Sequence, residues 1–303
     1  MHQRWYVFFM TFLLLLAAML TVSSTHAAKP ASLQIVIPSG VGSIERRQAC
    51  RTTWLKWIEQ VKNASISYTF HIEAPLTDSE YAQISEEAEK YKDIMVNKSP
   101  APRNTSLESC SFRRWEALLT EYKRNEKKVN YYVVTDDDTF ICIHHLLSDS
   151  KYWPVGKRVH ISHFRQRLPD VVSIYSRLLV KDGLKYISTK HGKKHKNKPL
   201  VHLILSGAIK KVDSINDPRL TFGARGFDKG RYNDFKNGWV GADLLNSTEK
   251  ANIYNNVLSL HQAFPDVVTD LWTYAGANPL VDVYPEPLLS RNIVDLDNTI
   301  GYD

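Results

Sequence analysis

Residues 133–143, VVTDDDTFICI, place three adjacent carboxylates between two apolar runs rich in β-branched and aromatic side chains. Runs of that kind read as buried strands, so Asp136, Asp137 and Asp138 are delivered to the edge of a core rather than to a solvated polar loop. A buried carboxylate without a partner costs several kcal/mol, so a metal ion or a cationic side chain is expected beside them. At the carboxyl end of a parallel strand, such a cluster lies where open α/β sheets bind ligands. Hard oxygen donors suit Mn²⁺ or Mg²⁺, whose shells are commonly completed by substrate phosphates. The competing reading is an acidic β-turn exposed to water.

The rest of the chain supports the strand assignment. Leu33–Ile37 is a short apolar run closed by Pro38, Gly40 and Gly42, which predicts a buried strand and a turn. Cys50, Trp54, Trp57, Ile58 and Val61 then fall on one face of a 3.6-residue period, with Ser43 as the expected N-cap. Further strands are expected at 68–72, 93–96, 129–134 and 139–143, with helices at 79–92 and 107–124. Beyond residue 143 the pattern predicts strands at 201–205 and 280–284 and a helix near 249–260. His144 and His145 read as structural or surface residues after a strand pair, and Asp170 as structural. Alternation of strand and helix argues for an α/β fold with a mostly parallel central sheet flanked by helices.

The ends and the charge distribution bound the setting. Trp5–Val22 carries no charge over 18 residues, at the lower edge of what spans a bilayer. It reads as a signal-anchor or a cleaved signal peptide, so residues 1–28 are set apart from a domain at 29–303 that faces the lumen of the secretory pathway. N-glycosylation triplets at Asn63, Asn97, Asn104 and Asn246 agree, although Pro100 makes the second a poor site. Three cysteines, Cys50, Cys110 and Cys142, exclude a disulfide-stapled scaffold. The net charge of +7 gathers in seven lysines between Lys181 and Lys198, opposed only by Asp182. A lumenal domain does not meet nucleic acid, so that stretch is a solvated loop or a surface for acidic glycans and headgroups.

A second constellation is IERRQACRTTW, residues 44–54. Arg47 and Arg51 are helical neighbours on the face away from Trp54, placed to meet a diphosphate or a carboxylate; a solvated basic face is the alternative. This segment resembles the RRxAIRxTW motif of the β-1,3-glycosyltransferases, a family of galactosyl-, N-acetylglucosaminyl- and fringe-type transferases. VVTDDDTF is similar to that family's KxDDDVF, with Val134 in place of the lysine. YNDFKNGWVGADLL (232–245) resembles YPxYxxGxGYxxS, and FPDVVTDLWTYAGANPLVD (264–282) resembles EDVYVGxCLxxLGIxP, with Pro265 and Asp270 departing from it.

The resemblance implies a single GT-A-type domain behind a membrane anchor, in a single-pass type II protein of the Golgi membrane. It implies inverting transfer of galactose or N-acetylglucosamine from UDP-galactose or UDP-N-acetylglucosamine to a glycan hydroxyl on a glycoprotein or glycolipid, forming a β-1,3 bond. Asp136 and Asp138 would hold Mn²⁺ or Mg²⁺, and Arg47, Arg51, Asp136 and Asp137 would contact the nucleotide-sugar. Gly238 and Trp239 would form a binding floor, with Trp239 stacking on a sugar, and Asp266 would be the general base. The rivals are a non-catalytic relative that binds glycan or UDP-sugar or assists a partner transferase, and a metal-dependent phosphohydrolase.

Overall fold

The computed structural model describes residues 31–61, 65–100, 107–125, 128–162, 172–189, 192, 200–217, 219–221, 258–261 and 265–277. Strand β1 (Leu33–Ser39) is buried along its whole length. It pairs in parallel with β2 (Ile66–Ala74) on one side and β4 (Tyr131–Val134) on the other. Such double coverage explains the unbroken apolar run: Leu33, Ile35 and Ile37 enter the core on one face, and Val36 enters the core on the other. Tyr131 and Val133 follow the first face and Tyr132 and Val134 the second. The seven-stranded sheet has the order β3-β2-β1-β4-β7-β6-β8, adding β3 (Ile94–Pro100), β6 (Val159–Ser162), β7 (Ser173–Ser176) and β8 (Asp213–Asn216). Only β7 runs against its neighbours; the other pairings are parallel. The expected mixed α/β fold with a mostly parallel sheet is therefore present.

A second sheet of three short strands starts directly after the aspartates. It comprises β5 (Thr139–Ile141), β9 (Leu220–Thr221) and β10 (Ser259–His261). The turn carrying Asp136–Asp138 thus joins the large sheet to the small one.

Helices cover both faces of the large sheet. The expected long helix after β1 is two pieces, α1 (Ile44–Thr52) and α2 (Lys56–Gln60). Thr53 turns its hydroxyl back onto the carbonyl of Ala49 at 2.5 Å, and Leu55 N–H reaches the carbonyl of Cys50. Trp54 and Trp57 nevertheless both reach the core. Ser43 precedes α1 without a side-chain capping bond, against expectation. By contrast, α3 (Asp78–Tyr91) opens on a complete capping box, Thr77 with Glu80. Helix α4 (Leu107–Asn125) packs on β1, β3 and β4.

Three sequence expectations fail beyond β5. Residues 143–150 form helix α5 (Ile143–Ser150), not a strand end. Residues 200–205 form α7 (Leu200–Leu205), where a strand was expected, because a six-residue apolar run fits either element and neighbouring helix α6 (Arg177–Ser188) supplies the packing surface. Residues 259–261 are strand rather than helix, while 249–257 and 280–284 lie outside the described residues. Helix α8 (Pro265–Ala277) packs on α1, and its Trp272 meets Trp57 with ring centroids 4.9 Å apart. No helix among the described residues is long and apolar enough to cross a membrane, and residues 1–30 lie outside them. Of the glycosylation triplets, Asn97 is described, and it is buried with its amide oxygen 3.1 Å from His71. A glycan there is incompatible with this packing.

Candidate active site

The three aspartates follow β4 at the carboxyl ends of the parallel strands, next to the end of β1. They do not point at one centre. Asp136 is held on one flank by Arg114 of α4 in a two-point pairing, with Nε 2.8 Å from Oδ1 and Nη2 on Oδ2. Asp137 turns to the other flank. Its Oδ2 accepts a 2.6 Å hydrogen bond from Ser39 at the end of β1, and its backbone carbonyl lies 3.4 Å from the Cys50 thiol. Asp137 and Asp138 share one cation: Nη1 of Arg46 stands 3.5 Å from Asp137 Oδ1 and 3.7 Å from Asp138 Oδ2.

The electrostatics follow from that geometry. Burial, with the charges of Asp138 and Asp136 added, pushes the Asp137 carboxyl up to about 6, against the Ser39 hydrogen bond and the charge of Arg46. Two adjacent buried carboxylates concentrate negative charge beside the Arg46 guanidinium, and such a concentration is the condition that favours a divalent cation.

Arg47 and Arg51 sit elsewhere than the sequence suggested. Arg47 is fully buried and pairs with Glu87 of α3 through Nε at 2.9 Å and Nη2 at 2.6 Å. Its Nη1 donates to Ser39 Oγ at 2.8 Å and to the Gly40 carbonyl. Arg51 donates to Glu87 and, through two bonds of 2.8 Å, to Asp93, while stacking over Tyr91 at 4.0 Å. Burial of Glu87 opposes its ionisation, but the hydrogen bonds and charges of Arg47 and Arg51 prevail and hold its carboxyl below the ordinary value. The two arginines therefore meet carboxylates, as one branch of the expectation held: Glu87 of α3 and Asp93 just before β3. Their guanidiniums fasten α1 to α3, and Arg47 touches the site only through Ser39.

Three residues the sequence reading passed over, Arg46, Arg114 and Ser39, make direct contacts to the aspartate carboxylates. A signal for Arg46 was present: it lies one helical turn before Cys50, so both reach the same neighbour, and both touch Asp137. Nothing in the spacing marked Arg114 or Ser39.

Among the described residues no group of three or more His, Cys, Asp and Glu side chains is placed to hold a metal ion. Asp137 and Asp138 fit a hard cation as two carboxylates already gathered around a positive charge. The Thr135 and Thr139 hydroxyls on either side are buried and make no hydrogen bond among the described residues. The remaining ligands would have to be substrate phosphate oxygens and water, the usual mode for Mg²⁺ and Mn²⁺. Asp266 lies in the first turn of α8, the helix that packs on α1; its side chain, and all of Gly238 and Trp239, fall outside the described residues.

Residues 45–169, which include Arg46, Arg114 and all three aspartates, match the family model described as galactosyltransferase. No curated protein matches the sequence. Solved structures that are distantly similar in shape include the following three. A glycosyltransferase involved in the glycosylation of the major capsid of PBCV-1 aligns at 8% identity, over 76% of this chain and 92% of that one, with a TM-score of 0.40. The mannosyltransferase PcManGT from Pyrobaculum calidifontis, in complex with GDP-Man and Mn2+, aligns at 12% identity over 56% of this chain and 53% of its own, with a TM-score of 0.33. The 4-diphosphocytidyl-2C-methyl-D-erythritol synthase from Anaerococcus prevotii aligns at 13% identity over 63% and 89%, with a TM-score of 0.38. Likeness at that distance carries neither substrate nor mechanism.

Proposed function

We propose, from the match of residues 45–169 to the galactosyltransferase family model, that the chain is an inverting glycosyltransferase of the GT-A type. It transfers galactose or N-acetylglucosamine from a UDP-sugar to a glycan hydroxyl on a glycoprotein or glycolipid, forming a β-1,3 bond. The observation that carries this reading is the buried Asp137–Asp138 pair beside Arg46, at the carboxyl ends of β1 and β4. It is a place built to gather positive charge beside a diphosphate.

A bound Mn²⁺ or Mg²⁺ would neutralise charge developing on the departing diphosphate. The chain's own residues do the rest. Asp137 and Asp138 would hold the cation, while Ser39 fixes the rotamer of Asp137 and Arg114 keeps Asp136 turned to the α4 flank. Asp266, as the resemblance implies, accepts the proton of the acceptor hydroxyl as its oxygen bonds to the anomeric carbon. The bond from that carbon to the diphosphate breaks in the same displacement, UDP leaves, and no covalent enzyme intermediate forms. The apolar segment Trp5–Val22 supports a Golgi membrane setting, with the domain lumenal.

The test is UDP release by the detergent-solubilised full chain, with a panel of UDP-sugars, Mn²⁺ and mixed glycan acceptors. Metal-dependent, acceptor-stimulated release from one donor, lost in Asp138→Ala and Asp266→Ala, is the expected result. Metal-dependent UDP binding without release from any donor would replace this reading with a non-catalytic relative. Phosphate release without a sugar acceptor would replace it with a phosphohydrolase.

A further inference from the structure

The end of the large sheet farthest from the acidic turn carries a different chemistry. Leu33, Tyr131 and Ser176 stand in one register row across β1, β4 and β7. The Ser176 hydroxyl accepts the N–H of Val159, which pairs in turn with Asp213 of β8. This row marks the amino-terminal ends of β1, β4, β6 and β8, whereas Asp136–Asp138 follow Val134 at the other end. Around the row, segments 151–162, 172–189 and 200–217 hold eight lysines and arginines against three aspartates. Asp182 is engaged by Arg158 at 2.6 Å, and Asp217 is buried beside Arg219. Lys151, Lys157, Lys181, Lys185, Lys210 and Lys211 are all exposed. Lys181 and Lys185 lie one turn apart on the outer face of α6, a like-charge spacing that weakens a helix by itself.

The turn between α5 and β6 adds apolar tips to this charge. Trp153 is buried against Tyr131, with ring centroids 5.0 Å apart, and the Tyr131 hydroxyl donates to the Pro154 carbonyl at 2.6 Å. With the turn fixed at those two points, Tyr152 and Val155 stand outside, 46% and 66% exposed, between Lys151 and Lys157. Aromatic and aliphatic tips among lysines suit the headgroup layer of an anionic bilayer, where both the charge and the apolar area find partners. An acidic glycan would meet the lysines but would leave Val155 in water.

The connection of the chain points the same way. Leu33 lies at this end of the sheet, and only residues 23–32 separate it from the apolar segment Trp5–Val22. Fully extended, that stretch reaches about 40 Å. So short a tether holds the surface at high effective concentration above its bilayer, where a weak contact suffices.

We propose that the surface formed by the 151–157 turn, α6 and the approach to β8 docks on the anionic headgroups of the bilayer that holds Trp5–Val22. The inference rests in part on the membrane setting given above. Docking fixes the orientation of the domain and turns Asp136–Asp138 away from the bilayer, toward acceptors that stand off from it.

The experiment reconstitutes the full chain, in a Cys110→Ser background, into vesicles of phosphatidylcholine alone or mixed with phosphatidylserine. Cys50 and Cys142 are buried, so a fluorophore is placed at Val155→Cys or, at the opposite end of the sheet, at Tyr81→Cys on α3. Quenching by a headgroup-borne quencher is then read, after an unchanged circular dichroism spectrum has been confirmed. The label at 155 is expected to be quenched more strongly with phosphatidylserine, and the label at 81 in neither lipid. Each lysine near anionic headgroups contributes about five-fold to binding. High salt, or Lys157→Glu, Lys181→Glu, Lys185→Glu and Lys210→Glu combined, should therefore abolish the difference. Vesicles that retain the chain in high salt but show no quenching at 155, or equal quenching at 155 and 81, overturn the docking and leave the anchor standing. A chain that binds only phosphatidylserine vesicles and is released by salt keeps the docking and removes the anchor. Protein recovered free of both kinds of vesicle overturns both.

Discussion

Ser39 and Asp137 are 98 residues apart in the chain and 2.6 Å apart at the ends of two adjacent parallel strands. The serine hydroxyl donates to the carboxylate and accepts from Arg47, so it links a buried ion pair to the acidic turn. Ser39→Ala removes a donor from a buried carboxylate and is expected to destabilise the metal-free protein by about 1–3 kcal/mol near pH 7.5. The loss should shrink near pH 5, where Asp137, with its carboxyl pushed up to about 6, is largely protonated. Urea unfolding at the two pH values checks this. An equal loss at both would mean that the serine acts through Arg47 instead.

Asp137 itself should oppose folding at neutral pH. Its folded value of about 6 lies above the ordinary 3.8, so the native state binds the proton more tightly than the unfolded chain does. Its contribution is most favourable below the ordinary value, declines as pH rises through about 6, and is flat above that. Asp137→Asn should remove this slope and leave the metal-free variant more stable by about 1–3 kcal/mol near pH 7.5. Thermal unfolding in a chelator across that range would show it, and a variant less stable than the parent throughout would refute it.

Glu87 serves two buried guanidiniums. Glu87→Ala strands Arg47 without its carboxylate and should cost about 3–5 kcal/mol, read as a lowered denaturation midpoint. The double variant Arg47→Met with Glu87→Leu keeps the Arg51–Asp93 pair and removes the stranded charge. It should recover a large part of the loss despite carrying more changes.

Cys50 and Cys142 are free, and burial raises both thiols, Cys142 to about 12 and Cys50 further. Neither should react with iodoacetamide in the native protein near pH 8, and both should react after unfolding. Mass mapping of the modified peptides distinguishes them from Cys110.

Those parts of the fold whose hydrophobic pattern has one structural solution were legible in advance. The run at 33–37, the Trp-bearing stripe at 107–124 and the strand before the aspartates appear as β1, α4 and β4. Legibility ended where pattern is degenerate. The run at 200–205 is too short to separate helix from strand, and the break at Thr53 arises from a hydroxyl bond that no periodicity reveals. At the site, the residue type was readable and the partner was not. The carboxylates announced a need for positive charge, but Arg46 and Arg47 are adjacent in sequence and differ by about 100° around the helix. Which of them faced the sheet end depended on where α3 placed Glu87, and that is a property of the assembled layers.

The acidic turn is pinned from two directions, Asp136 by α4 and Asp137 by β1 and α1. Surface turns ordinarily give up their amide protons by local fraying, at little cost in free energy. Here the amides of residues 135–138 can exchange only when helices on both flanks leave the sheet together. Their protection should therefore match that of the central strands, and this acidic turn would be among the last to let deuterium in.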